Sequence, residues 1–289
     1  MIEVVRSGPL ATVQDLGRAG YAHLGVPFSG AADRPSLCLA NRLVGNPEDA
    51  AGLELTFGGA ALRFEAAAWI AVTGAPLHLR PGTMNAPSYV PAGAVVEFGA
   101  PSAGVRTYVG VRGGIDVPAV LGSRSTDMLS GLGPPPLSAG DRLRVGRTTG
   151  QITVDVAPGI DPEDEPVLRI TAGPRDDWFE TLAPLGEAAY EVTARSNRVG
   201  VRLDGPALAR RRQGELPSEG MVTGALQVPP NGLPIIFLAD HPTTGGYPVA
   251  AVLAGADIAR AGQLRPGQRV RFRLSGSRSP APAVFGLRR

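Results

Sequence analysis

The segment Pro266-Gly267-Gln268-Arg269-Val270-Arg271-Phe272 decides how this chain is read. A Pro-Gly turn opens it, and apolar residues then alternate with arginines, the period of a strand with one buried face. The phrase returns at Ala139-Gly140-Asp141-Arg142-Leu143-Arg144-Val145 and at Pro91-Ala92-Gly93-Ala94-Val95-Val96-Glu97-Phe98. Two matching openings accompany these endings: Val4-Val5-Arg6-Ser7-Gly8-Pro9 and Leu168-Arg169-Ile170-Thr171-Ala172-Gly173-Pro174. Shared starts and ends predict two related β-domains, residues 1–154 and 167–274. Between them, residues 155–166 hold three prolines, one glycine and five acids without periodicity, and read as a linker. Ser275 to Arg289 reads as an exposed tail.

Composition supports strands over helices. The 289 residues include 39 Gly and 28 Pro, nearly a quarter of the chain. An interior helical Gly costs about 1 kcal/mol and Pro about 3, so long helices are disfavoured. At 43% hydrophobic content the chain still has enough apolar surface for a core. One helix is well signalled, from Arg34 to Val44. Asp33 is placed to cap it, Pro35 lies in its first turn, and Gly45-Asn46-Pro47 stops it. Leu37, Ala40 and Val44 would face inward, and Cys38 reads as small core filling. Shorter helices are expected after Pro174 and over Asp257–Ala261.

All 28 basic residues are arginine. Without lysine the chain cannot form the side-chain Schiff base with pyridoxal phosphate, supply a P-loop lysine or carry covalent biotin. It also cannot hold a Ser–Ser–Lys amidase site. A formal charge of +2, dispersed along the chain, gives no sign of nucleic-acid or membrane binding. A single cysteine excludes an intramolecular disulfide framework and a Cys-based zinc site. His23, His78 and His241 lack metal-ligand spacing, so no metal is expected, and the first two read as ordinary, partly buried histidines. The N-terminus reads as a strand start and no apolar run approaches a membrane span, which makes cytoplasm the expected location.

The densest polar and glycine-rich stretch is Leu238-Ala-Asp240-His-Pro-Thr243-Thr244-Gly245-Gly246-Tyr247-Pro248. A strand-end loop of this kind can aim backbone N–H groups at an anion, with Asp240 as base or acceptor. A hydrogen-bonded connection would use the same residues. Upstream lies Ser218-Glu219-Gly220, and Gln227 sits on an apolar strand, where a buried amide needs a partner. Asn197-Arg198 offers an amide beside a guanidinium. Arg198 suits bidentate pairing with a carboxylate, either a substrate's or that of Glu219. There is no Gly-x-Ser-x-Gly elbow, His-Glu-x-x-His or Walker motif.

Ten phrases taken in order resemble one family. The first half supplies Thr12-Val-Gln-Asp-Leu-Gly-Arg-Ala-Gly-Tyr21, Gly25-Val-Pro-Phe-Ser-Gly-Ala-Ala-Asp33, Asn41-Arg-Leu-Val-Gly-Asn46, Gly113-Gly-Ile-Asp-Val-Pro118 and Leu121-Gly-Ser-Arg-Ser-Thr-Asp127. The second supplies Gly173-Pro-Arg-Asp-Asp-Trp-Phe179, Ser196-Asn-Arg-Val-Gly200, Ser218-Glu-Gly220, Gln227-Val-Pro and Thr243-Thr-Gly-Gly-Tyr-Pro248. The chain is similar to the family of C-type 5-oxoprolinase subunits, also called KipI antagonist (KipA) or allophanate hydrolase subunit 2, with a biotin-dependent carboxyltransferase domain.

That resemblance implies a mainly β fold of two cyclophilin-like β-barrel domains with a few short helices. It also implies two partners, a KipI-like B-type subunit and a lactam-utilisation-type subunit (the A-type), together cleaving 5-oxoproline to glutamate with ATP. No covalently bound cofactor is expected, and the nucleotide site would lie on another subunit, leaving this one inactive alone. Two further roles attach to the resemblance: a carboxyltransferase component acting on urea with a separate biotin carrier, and a non-enzymatic antagonist of a KipI-like kinase inhibitor. On the first reading Arg198 would pair with the substrate carboxylate, and Asn197 and Gln227 with its amide. Asp240 would orient water, while Ser218, Glu219 and Thr243 to Tyr247 (including Thr244, Gly245 and Gly246) would line the site. The chain departs from the family at His241-Pro242, where Arg-Gln is common; His241 is expected to make only a local hydrogen bond.

Overall fold

On strand Arg269–Leu274, Val270 and Phe272 are buried and Arg269 is exposed, as the alternation requires. In the computed structural model, which describes residues 1–147, 150–159, 162–214 and 216–275, this strand closes a barrel. It runs parallel to Val167–Ala172, with Phe272 opposite Leu168, and antiparallel to Ala189–Val192, with Val270 opposite Tyr190. Strands Val249–Leu253, Ala225–Gln227, Ile235–Phe237 and Gly200–Asp204 complete the ring of seven. The inward residues of these strands, with Trp178 and Phe179 from the connection, make one apolar core.

The first half is built differently. One five-stranded sheet has Ile2–Arg6, Ala61–Phe64 and Val95–Pro101 at its centre, flanked by Arg142–Leu143 and Leu77–Arg80. A second runs Leu10–Gln14, Gly52–Thr56, Arg106–Val111, Ala68–Gly74 and Pro87–Val90. Phe64 and Phe98 from the first sheet share a core with Leu53 and Val109 from the second. Of the two expected barrels, the distal one closes; the proximal half is a pair of sheets with no ladder joining them among the described residues.

Helix Arg34–Leu43 forms where its caps placed it. Asp33 Oδ1 accepts from the Ser36 N–H at 3.1 Å, and Leu37, Ala40 and Val44 are buried. The helix lies on strand Arg106–Val111 so closely that a Cβ at Gly110 would come 2.8 Å from the Ala40 carbonyl oxygen. Cys38 is half-buried, and burial pushes its thiol pKa up, as suits packing rather than nucleophilic attack. Short helical turns stand at Asp176–Trp178, Ala183–Glu187 and Ile258–Ala261. The stretch expected as linker has no strand or helix among its described residues; Glu163 meets Arg260 at 2.7 Å. The expected tail beyond Ser275 lies outside the described residues.

Polar contacts tie the halves together. Gln263 Oε1 accepts from the N–H groups of Val105 and Arg106 at 3.0 and 2.8 Å. Its Nε2 donates to Asp33 Oδ2 at 2.7 Å and to the Arg106 carbonyl at 2.9 Å. The residue that caps the helix in one half therefore also accepts from the other. No helix among the described residues is long and apolar enough to cross a membrane.

Candidate functional site

Asn197 shapes the turn that precedes strand Gly200–Asp204. Its Oδ1 accepts from the backbone N–H groups of Val199 and Gly200 at 2.9 and 3.2 Å, while the residue itself stays exposed. The turn sends Arg198 into the seam between the halves. There Nε donates to Asp240 Oδ2 at 2.8 Å, Nη2 to Asp240 Oδ1 at 3.0 Å and to the Gly30 carbonyl at 2.7 Å, and Nη1 to Glu54. Asp240 also accepts from the Ser29 hydroxyl at 2.8 Å and from the Met128 N–H at 3.1 Å. Arg198 is 2% exposed and Asp240 is fully buried.

These contacts revise three expectations. Arg198 meets two carboxylates of its own chain, so it is not open to a substrate carboxylate, and its partner is not Glu219. Asp240 accepts four hydrogen bonds and has no surface left to hold a water molecule. Asn197 directs its acceptor into its own turn. Arg198 and Asp240 are brought together, but as the lock between the halves.

Glu54 is the partner that pattern reading missed. It lies on strand Gly52–Thr56, where Leu53 and Leu55 face the core and Glu54 faces the opposite, equally covered side. Its Oε2 accepts from the Tyr108 hydroxyl at 2.7 Å and the Ala32 N–H at 3.1 Å; its Oε1 faces Arg198 and, at 3.4 Å, Arg106. Burial opposes its ionisation, but the Arg198 and Arg106 guanidiniums outweigh burial and hold the carboxyl below its ordinary value. A lone acid between two leucines, on a strand with no polar face, was the available signal.

The other expected residues gather on a small arm. Strands Glu219–Gly220 and Thr244–Gly245 pair antiparallel, Met221 N–H donates to the Thr243 carbonyl at 2.9 Å, and Leu216 N–H to that of Gly246 at 3.3 Å. Gln227, buried at the arm's base, donates Nε2 to the Tyr247 carbonyl at 3.0 Å. Gln227 thus orders the loop rather than projecting into open space. Glu219 is engaged in a bidentate pair with Arg175. Ser218, Thr244 and Tyr247 are exposed and Thr243 half-buried, and none of their hydroxyls makes a hydrogen bond among the described residues. The arm therefore offers uncommitted hydroxyls beside glycine backbone.

Of the histidines, His23 and His78 are exposed, more so than expected, and His78 accepts from Arg80 at 2.7 Å. His241 is buried, stacks on Phe237 and bonds the Pro242 carbonyl. No group of three or more His, Cys, Asp or Glu side chains able to hold a metal exists among the described residues.

Comparison with known proteins gives the family of the chain. The chain is 37% identical over 286 residues to the C subunit of 5-oxoprolinase from Escherichia coli (strain K12), covering 94% of this chain and 90% of that one. The crystal structure of TTHA0988 superposes with a TM-score of 0.86 at 34% identity over 94% of this chain, and that of the K. lactis urea amidolyase with 0.87 at 31% over 95%. The match spans 55% of the former's length and 19% of the latter's. The model of the family described as carboxyltransferase domain, subdomain A and B matches residues 24–274. With most of its length inside that match, the chain belongs to the carboxyltransferase domain A and B family.

Proposed function

We propose that this chain is the C-type subunit of an ATP-dependent 5-oxoprolinase, working with a KipI-like subunit and a lactam-utilisation-type subunit. One observation carries the reading: the similarity to the C subunit of a 5-oxoprolinase runs through nearly the full length of both chains. 5-Oxoproline presents a carboxylate, a lactam carbonyl and an amide N–H. The hydroxyls of Ser218, Thr243, Thr244 and Tyr247, with the Gly245-Gly246 backbone, supply donors and acceptors for such a small polar ring. Gln227 fixes the loop, and the Arg198–Asp240–Glu54 cluster fixes the strand ends from which it springs. On this reading the chain binds and orients the lactam, and the nucleotide is held by another subunit.

A second reading, a carboxyltransferase component acting on urea, is favoured by the superposition on urea amidolyase. The chain has no lysine, so biotin would have to arrive on another polypeptide. Incubating the co-expressed three-subunit complex with 5-oxoproline, urea and allophanate in parallel separates the readings. ATP-dependent glutamate release from 5-oxoproline supports the first. Urea-dependent turnover requiring an avidin-reactive chain replaces it with the second.

A further inference from the structure

His241 stands two residues before Thr243, at the base of the arm. Its Nδ1 lies 2.7 Å from the carbonyl oxygen of Pro242. A carbonyl oxygen only accepts, so Nδ1 carries the proton and the neutral ring keeps a bare lone pair on Nε2. Burial favours that neutral ring, lowering its pKa against the pull of the Pro242 carbonyl and Asp240. Stacking fixes the ring plane: the Phe237 and His241 centroids are 5.8 Å apart with planes 17° from parallel. Phe237 in turn packs with Met221, whose N–H bonds Thr243.

The residue is 5% exposed, yet Nε2 has no hydrogen-bond partner among the described residues and is not one of the polar atoms sealed from solvent. The stacked ring thus carries one unpaired acceptor two residues before Thr243. The nearby carboxylates cannot fill that role, since Asp240 is bound by Arg198 and Glu219 by Arg175.

We infer that His241 Nε2 accepts the amide N–H of the substrate and so selects a lactam or urea-like amide over an ester or a simple carboxylate. The inference rests on the function proposed above. A site built to accept an N–H discriminates against analogues lacking it, because its own acceptor is then left unpaired.

Two measurements test it. In long-range proton–nitrogen spectra of the ¹⁵N-labelled chain, with His241 assigned through His241→Gln, the ring should show the Nδ1–H tautomer. Adding 5-oxoproline or urea should move its Nε2 resonance saturably. An Nε2–H tautomer, or an Nε2 resonance that neither compound moves, overturns the inference whatever the assembled enzyme does. In the assembled enzyme, His241→Asn keeps a donor for Pro242 but loses the Nε2 acceptor, and should raise KM for 5-oxoproline about tenfold. His241→Gln carries an oxygen to the Nε2 position and should raise it less. The reverse order, or an unchanged KM in His241→Asn, identifies a ring that only ties the turn. If the wild-type assembly turns over no amide, the functional reading fails separately, and the spectra alone decide the role of His241.

Discussion

Arg198 and Asp240 face each other through two parallel hydrogen bonds, Nε to Oδ2 at 2.8 Å and Nη2 to Oδ1 at 3.0 Å. Both belong to the barrel half, yet the groups that complete their coordination, Glu54, Ser29 and the Met128 N–H, come from the sheet half. A buried ion pair of this kind adds little over well-packed apolar groups, but breaking it leaves one charge stranded.

Arg198→Ala is therefore expected to act on stability before it acts on binding. It strands two buried carboxylates and should cost about 3–5 kcal/mol. Arg198→Lys should recover only part of this, because an ammonium cannot make the two-pronged contact. Denaturant unfolding of the isolated chain measures both. An Arg198→Ala chain of wild-type stability would contradict the lock.

Acid should weaken the seam at Glu54, which is held below its ordinary value despite burial, and the barrel at Asp257, which the Arg169 guanidinium draws down to about 2. A carboxyl with a depressed folded pKa stabilises the fold above its unfolded pKa and loses that contribution as pH falls through the folded one. Stability should thus begin to decline near the ordinary carboxyl values of about 4, and the Asp257 contribution should be lost as the pH approaches about 2. Asp33, raised by burial, works in the opposite sense. The stability gap between wild type and Glu54→Gln, followed by urea unfolding from pH 7 downward, should narrow over that range. A constant gap would contradict this.

The arm's hydroxyls should behave in the opposite way to the lock. Thr244 and Tyr247 are exposed and form no internal side-chain hydrogen bond among the described residues, so Thr244→Val and Tyr247→Phe should leave stability within about 0.5 kcal/mol of wild type. If they touch substrate, each should cost about 0.5–1.5 kcal/mol of binding, a few-fold to roughly tenfold in KM. Thermal melts and steady-state kinetics of the assembled complex read the two effects apart.

Gly245 tests the loop from beneath. A Cβ there would lie 2.6 Å from Gln227 Nε2, which bonds the Tyr247 carbonyl. Gly245→Ala should push the amide off that carbonyl and raise KM, with a stability loss of about 1–3 kcal/mol from the unpaired buried group. A variant with wild-type kinetics would show that the loop does not depend on Gln227.

How far the sequence could be read follows from the range of each interaction. Strand Arg269–Leu274 and helix Arg34–Leu43 were legible because alternation and capping act over a few residues. The turn chemistry of Asn197 is equally local, yet the residue was read as a contact to the substrate amide. Arg198, by contrast, meets Glu54 across 144 residues, and no local pattern tells a guanidinium buried against its own chain from one held out for a substrate. Whether two sheets join is similarly non-local: alternation showed a β-domain in the proximal half, and the second barrel, implied by the family resemblance alone, is instead a pair of sheets. His241 was legible as a local hydrogen bond to its neighbour; the open Nε2 was not, because it depends on where Phe237 lies.

The most direct measurement is glutamate formation from 5-oxoproline and ATP by the reconstituted three-subunit complex, repeated with each component omitted. The account predicts turnover only with this chain present, and loss of that turnover when the chain is left out. Undiminished 5-oxoproline cleavage without this chain, or no cleavage by the complete assembly, would contradict it.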